Sequence, residues 1–187
     1  MHGRQSFEYA CLVASGFMLC KLVDKVVKWG KARAPDASTH VEITHVKVKQ
    51  GELDIGELVD MVKSPFAGAI ATFSGTTRNN FEDKTVTHLE YEGYVPMAEK
   101  QLKLICDEIR AKWQDIISIA IEHKLGSCPI LDTSVIIAIS SAHRAAALEA
   151  TAFAIDSLKA TVPIWKKELY AGSCPPKWKE NTEFVKR

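Results

Sequence analysis

The sequence predicts an α+β fold built on a mixed or largely antiparallel sheet. Three observations predict it. Val135-Ile136-Ile137-Ala138-Ile139 is an unbroken apolar run rich in β-branched residues, the pattern of a buried strand. Ala145 to Leu158 is Ala-rich and sets Leu148, Ala152, Ile155 and Leu158 at helical spacing. Strand-like and helix-like stretches mix without a strict βαβα repeat, so a purely parallel sheet does not fit.

Residues 1–40 read as an N-terminal helical extension followed by a linker. Tyr9 to Cys20 is a mostly apolar run, too short to span a bilayer. With Arg4 ahead of it, it resembles a signal-peptide core, but Glu8 and the charged stretch Lys21 to Arg33 argue against that. A helix from about Phe7 to Trp29 is expected, and Ala34-Pro35-Asp36-Ala37-Ser38-Thr39 has linker composition.

The main domain is expected at residues 41–170. Val41 to Val48 reads as a short strand. Asp54 and Glu57 resemble a capping box, with Ile55, Leu58, Val59 and Val62 as the apolar face behind it and Pro65 closing the helix. Ala67 to Phe73 and Thr85 to Tyr94 read as strands. In the second, Thr87, Leu89 and Tyr91 alternate with His88, Glu90 and Glu92. Glu90 and Glu92 fall on one face, where a solvated edge strand explains them more simply than an acid–base pair. Pro96 suits the first turn of a helix reaching Trp113, buried through Leu102, Ile105, Ile109 and Trp113. Ile116 to His123 is a further strand, Gly126 to Pro129 a turn, and Thr133 to Ser140 the strand that feeds the Ala-rich helix. Residues 171–187 form a C-terminal tail with a Cys174-Pro175-Pro176 turn.

Composition narrows the function. The chain has 187 residues, enough for one domain with a sizeable core. Its 47% hydrophobic and 25% charged residues are those of a soluble globular protein. A net charge of +1 gives no general affinity for nucleic acid, which would need a local patch. No stretch suggests a membrane partner. Five cysteines at wide spacings, without CxxC, favour reduced thiols in the cytosol over disulfides or structural zinc. Six scattered histidines show no metal-ligand spacing.

Three stretches carry candidate chemistry. In Lys159-Ala160-Thr161-Val162-Pro163-Ile164-Trp165-Lys166-Lys167-Glu168, Pro163 ends the helix and biases Val162 to an extended conformation. Lys159 then lies at a helix C-terminus, where the macrodipole favours a cation, and Lys166 lies beyond a change of direction. In Ser140-Ser141-Ala142-His143-Arg144, Ser141 is the expected N-cap. His143 and Arg144 fall in the first turn, where the macrodipole disfavours them. They either point to water or, with free backbone N–H groups, hold a phosphate or carboxylate. Arg78 sits on a turn with Gly75, Asn79 and Asn80, as a solvated charge or a further anion ligand. The helix from His143 to Lys159 spans about 24 Å. Its two ends cannot meet one small ligand, so the site must close across another chain segment or a second subunit.

These stretches, with Gly68-Ala69-Ile70, Phe73-x-Gly75-x-x-Arg78-Asn79, Leu89-x-Tyr91-Glu92-x-Tyr94-x-Pro96-Met97-Ala98 and His123-x-x-Gly126, occur in one order over residues 42–170. Together they resemble the large, catalytic subunit of molybdopterin synthase, animal members most of all. The resemblance implies an α/β-hammerhead fold. It implies a sulfurtransferase of molybdenum cofactor biosynthesis that acts on a cyclic pyranopterin monophosphate. Sulfur would come from the C-terminal thiocarboxylate of a small ubiquitin-like subunit. The implied assembly is a heterotetramer, a central homodimer of large subunits capped by two small ones, with no metal or organic cofactor.

Two anions meeting at one site require a cluster of cations. On that resemblance His143, Arg144 and Arg78 suit the cyclic phosphate. Lys166 and Lys167 hold the phosphate or the donor's tail. Glu168 orients a lysine or meets the pterin. Lys159 is the expected central catalytic group, because a lysine ringed by cations gives up its proton more readily. It would protonate the leaving oxygen or anchor the thiocarboxylate. Two rival readings are a Schiff-base lysine enzyme and a non-catalytic adaptor for a ubiquitin-like tail.

Overall fold

The computed structural model describes residues 41–81, 84–172 and 175–179. The helical extension and linker expected within residues 1–40 lie outside them. Among the described residues, strand β1 (Thr44–Gln50) and helix α1 (Ile55–Val62) come first. Strands β2 (Ala69–Thr76), β3 (Asn80–Phe81) and β4 (Lys84–Gly93) follow, then helix α2 (Val95–Lys112). Strands β5 (Ile116–Pro129) and β6 (Thr133–Ser141) lead into helix α3 (Arg144–Thr161), and β7 (Ile164–Tyr170) and β8 (Lys177–Lys179) close the order.

The strands form one sheet in the order β2-β6-β5-β4-β7-β8. β1 pairs β5 in parallel, and the other pairs are antiparallel. The expected mixed α+β architecture is what forms. Helices α2 and α3 cover one face, burying Leu102, Ile105, Ile109, Ile155 and Leu158 against Ile119, Ile121, Val135, Ile137 and Ile139. Helix α1 covers the other face, with Leu58 and Val62 on Ala120, Ile136 and Ala138. Strand β6 is apolar on both faces because both are covered.

Several local expectations are corrected. Gly126 to Pro129 is not a turn but the last four residues of β5, paired with Tyr91 to His88 of β4. β1 ends opposite Leu125, and β4 takes over from Gly126. Gly126 makes that hand-over at φ +82, where a side chain would strain the backbone. The true turn is Ile130 to Asp132. β4 is not an edge strand, since β5 and β7 flank it, yet Glu92 is exposed and Glu90 half-buried, so the two carboxylates are solvated without an edge.

Ser141 is not the N-cap of α3. It is still paired with Ala69 in the β2–β6 ladder, and His143 takes the cap position in extended conformation. Ser141 Oγ instead accepts a hydrogen bond from the His143 N–H at 3.4 Å. Of the predicted stripe of α3, Ile155 and Leu158 are buried and the other two residues are not. Leu148 is 61% exposed, and Ala152 is exposed. The buried face is Ala147, Ala150, Thr151, Ala154, Ile155 and Leu158, because small residues let this helix lie close to the sheet and α2. Asp54 caps α1 as expected, accepting from the Gly56 and Glu57 N–H groups.

Candidate active site

The corner between α3 and β7 builds the site. Val162 ends the helix in extended conformation (φ −78, ψ 127), its N–H donating back to the Leu158 carbonyl at 3.0 Å. Pro163 prevents continuation, and Ile164 starts β7. β7 then lies antiparallel to β4, with Lys166 opposite Tyr91 and Glu168 opposite Leu89. Lys159 in the last turn of α3 and Lys166 and Glu168 on β7 thereby line one cavity of about 1300 Å³. Arg78, from the loop after β2, lines it too.

The fold brings four of the seven candidate residues together: Arg78, Lys159, Lys166 and Glu168. Lys167 is not in the lining; it alternates away from Lys166, with its Nζ 5.3 Å from the centre of the Trp178 ring. His143 and Arg144 are exposed at the far end of α3 and do not line the cavity.

Residues that the sequence did not single out complete the wall. Lys177, Trp178 and Lys179 enter on β8, which pairs with β7 through Lys179–Lys166, Trp178–Lys167 and Lys177–Glu168. Alternating Lys-Trp-Lys is a weak strand signal, and nothing local says which strand it joins. The Phe81 ring carries two cations, Lys179 Nζ at 3.5 Å and Arg78 Cζ at 5.7 Å from its centre. Deeper in, Tyr91 packs edge-on to His123 with ring centres 5.1 Å apart, and its hydroxyl donates to Ser134 Oγ at 3.3 Å.

The electrostatics are those of a partly buried cation cluster around the buried Glu168 carboxylate, with Glu92 also in the wall. Glu168 is 4% exposed. Its Oε2 accepts from the Tyr170 hydroxyl at 2.8 Å and lies 3.7 Å from Lys179 Nζ. Its Oε1 is 4.0 Å from Lys166 Nζ. Burial lowers the pKa of Lys166 from the ordinary lysine value; Glu168 opposes this, and Lys159, Lys179 and Arg78 add to it. His123 is pushed down to about 4, by burial above all, and is neutral at physiological pH. Its Nδ1 donates to the Lys124 carbonyl at 2.8 Å. Burial raises the Tyr91 phenol.

Such a cavity can hold an anion and a planar ring together, and it contains an amine, Lys166, that gives up its proton more readily than an ordinary lysine. Among the described residues no group of three or more His, Cys, Asp or Glu side chains could hold a metal ion. No helix among them is long and apolar enough to cross a membrane.

Comparison with known proteins agrees with this geometry. The chain is 53% identical over 138 residues to the molybdopterin synthase catalytic subunit of Taeniopygia guttata, covering 74% of this chain and 88% of that protein. It is 55% identical over 132 residues to the Homo sapiens molybdopterin synthase catalytic subunit, covering 71% and 69%. The crystal structure of molybdopterin synthase from Staphylococcus aureus superposes with a TM-score of 0.69 at 36% identity, covering 72% of this chain and 96% of that one. The family model described as MoaE protein matches residues 48–161, which include Arg78, His143, Arg144 and Lys159. By sequence and by fold, the chain belongs to the MoaE protein family.

Proposed function

We propose that this chain is the catalytic subunit of a molybdopterin synthase. It transfers sulfur from the C-terminal thiocarboxylate of a small ubiquitin-like subunit to cyclic pyranopterin monophosphate, forming the dithiolene of molybdopterin. The observation that carries this reading is the convergence of Lys159, Lys166 and Arg78, from three separate parts of the fold, on one aromatic-walled cavity. A phosphate-bearing pterin and an anionic tail must both enter, and a cluster of cations offsets their mutual repulsion. Each transfer leaves the donor's tail as an ordinary carboxylate, so two donors serve one substrate.

Lys159 is the central group in this reading. At the helix C-terminus it is fixed within reach of the ligand, where it protonates the leaving oxygen or anchors the thiocarboxylate. Lys166, with its lowered pKa, exchanges protons beside it. Glu168 orients Lys166, and Arg78 meets the phosphate. His143 and Arg144 lie too far along α3 to serve the cavity of their own chain, so a second copy lends them. That fits a homodimer of large subunits with a small subunit at each end. The buried, unbridged Cys106 and Cys128 suit the cytosol.

The test is a reconstitution. The purified chain is mixed with the cyclic pyranopterin monophosphate and a thiocarboxylated small subunit, and molybdopterin is assayed as its fluorescent oxidised derivative. Product must depend on the thiocarboxylate. Lys159→Ala must abolish it while the circular dichroism spectrum stays unchanged. Near wild-type turnover by Lys159→Ala overturns its role. Tight binding of the small subunit with no product from the wild-type chain points to an adaptor instead.

A further inference from the structure

We propose that Lys179 is a positioning residue that sets the protonation and orientation of Lys166 through Glu168. This rests on reading the cavity as the sulfur-transfer site. Strand register places Lys179 directly across from Lys166. Two like charges in that relation destabilise a strand pair unless something lies between them. Here the Glu168 carboxylate does, with one oxygen 4.0 Å from Lys166 and the other 3.7 Å from Lys179. The Tyr170 hydroxyl fixes that carboxylate in place.

Lys179 is also held firmly. Its side chain is 12% exposed, and its ammonium lies 3.5 Å from the centre of the Phe81 ring. A lysine that only solubilised the tail would point to water. Burying this one opposite a second lysine runs against local preference, and such conflicts concentrate at functional sites.

The physical consequence has one sign. Lys179 draws part of the field of Glu168, so Lys166 is not locked into an ion pair of its own. Its positive charge also disfavours a proton on Lys166. The other cations facing Lys166 are Arg78 from the loop after β2, Lys159 from α3 and Lys177 from β8, and all remain when Lys179 is removed. Glu92 of β4 is the second carboxylate of the wall. Tyr91 and His123 are neutral near pH 7. Removing Lys179 therefore leaves Glu168 to act on Lys166 alone and makes Lys166 hold its proton to higher pH.

The experiment uses the full-length chain in two settings. In the free chain, competitive acetylation with acetic anhydride, read residue by residue by mass spectrometry across pH, reports the titration of Lys166. In the reconstituted enzyme, kcat and KM are measured across the same range. Lys179→Met is expected to move the Lys166 titration upward by about half a unit to one unit. The corresponding limb of the kcat profile moves with it, and KM changes little. Lys179→Arg keeps both near wild type. Lys179→Gln serves as a second neutral variant if the methionine does not fold. In a Glu168→Gln background the Lys179→Met shift shrinks, because the connecting carboxylate is gone.

An unmoved Lys166 titration in both neutral variants overturns the proposal. So does a rise in KM with both pH readouts unmoved, which makes Lys179 a direct substrate ligand. The labelling needs no turnover. A wild-type chain that makes no product overturns the sulfur-transfer reading, while the link between Lys179 and Lys166 is still decided by the labelling.

Discussion

His123 shows how far a side chain's surroundings can depart from its sequence context. It is 4% exposed, and burial pushes its imidazole from 6.5 down to about 4, against a smaller upward pull from the Lys124 carbonyl. The unfolded chain takes up a proton near 6.5 and the folded chain only near 4. Between those values the unfolded state binds more protons, so stability falls as pH drops through that window. The loss from this residue approaches about 3 kcal/mol at the acid end. Replacing His123 with Gln should flatten the pH dependence of the denaturation midpoint between pH 6.5 and 4, whatever it does to stability at pH 7. An unchanged slope would show that other groups carry it. At this scale Arg78, Lys159 and Lys166 could be picked out from motifs. His123 stands in a motif too, but its burial and lowered pKa could not be read there, and Lys179 could not be picked out at all, because both depend on neighbours on other strands.

At the scale of elements, the two ends of α3 decide the site. Its C-terminus is legible, since Pro163 forces the corner that sets Lys159 and Lys166 on one cavity. Its N-terminus is less so, because Ser141 belongs to the β2–β6 ladder and the cap falls to His143. Gly68 governs that end from outside. A Cβ added there would lie 2.5 Å from the Ala142 carbonyl oxygen, immediately before the cap. Gly68→Ala therefore forces backbone to move and should cost about 1–3 kcal/mol, read as a lower denaturation midpoint. It should also reduce turnover, because His143 and Arg144 shift with Ala142. Full stability in this variant would mean the approach relaxes freely. The N-terminal half of the buried stripe of α3 is hard to read for a related reason. Alanine fits either face, so the periodicity of Leu148 and Ala152 carried too little weight against the packing of Ala147, Ala150 and Ala154.

For the whole molecule, the separation of His143 and Arg144 from the cavity becomes a prediction about assembly. Arg144→Ala and Lys159→Ala should each be inactive alone. Mixed and allowed to exchange subunits, they should form dimers in which one of two sites has all its residues. Random pairing would restore about a quarter of wild-type activity. No recovery after demonstrated exchange would mean that each chain uses its own Arg144 or none.

From the sequence alone came the α+β class, the order of most elements, the family resemblance and the basic stretches that hold Lys159, Lys166 and Arg78. These are local properties, carried by periodicity, proline and motif. Only the tertiary structure decided which cations share a cavity. It set Lys167 and the His143–Arg144 pair apart from it, brought Lys177 and Lys179 in, and turned β5 into a strand shared by β1 and β4. Those outcomes depend on strand register and on which neighbour satisfies each backbone N–H and C=O, which no single stretch of sequence encodes.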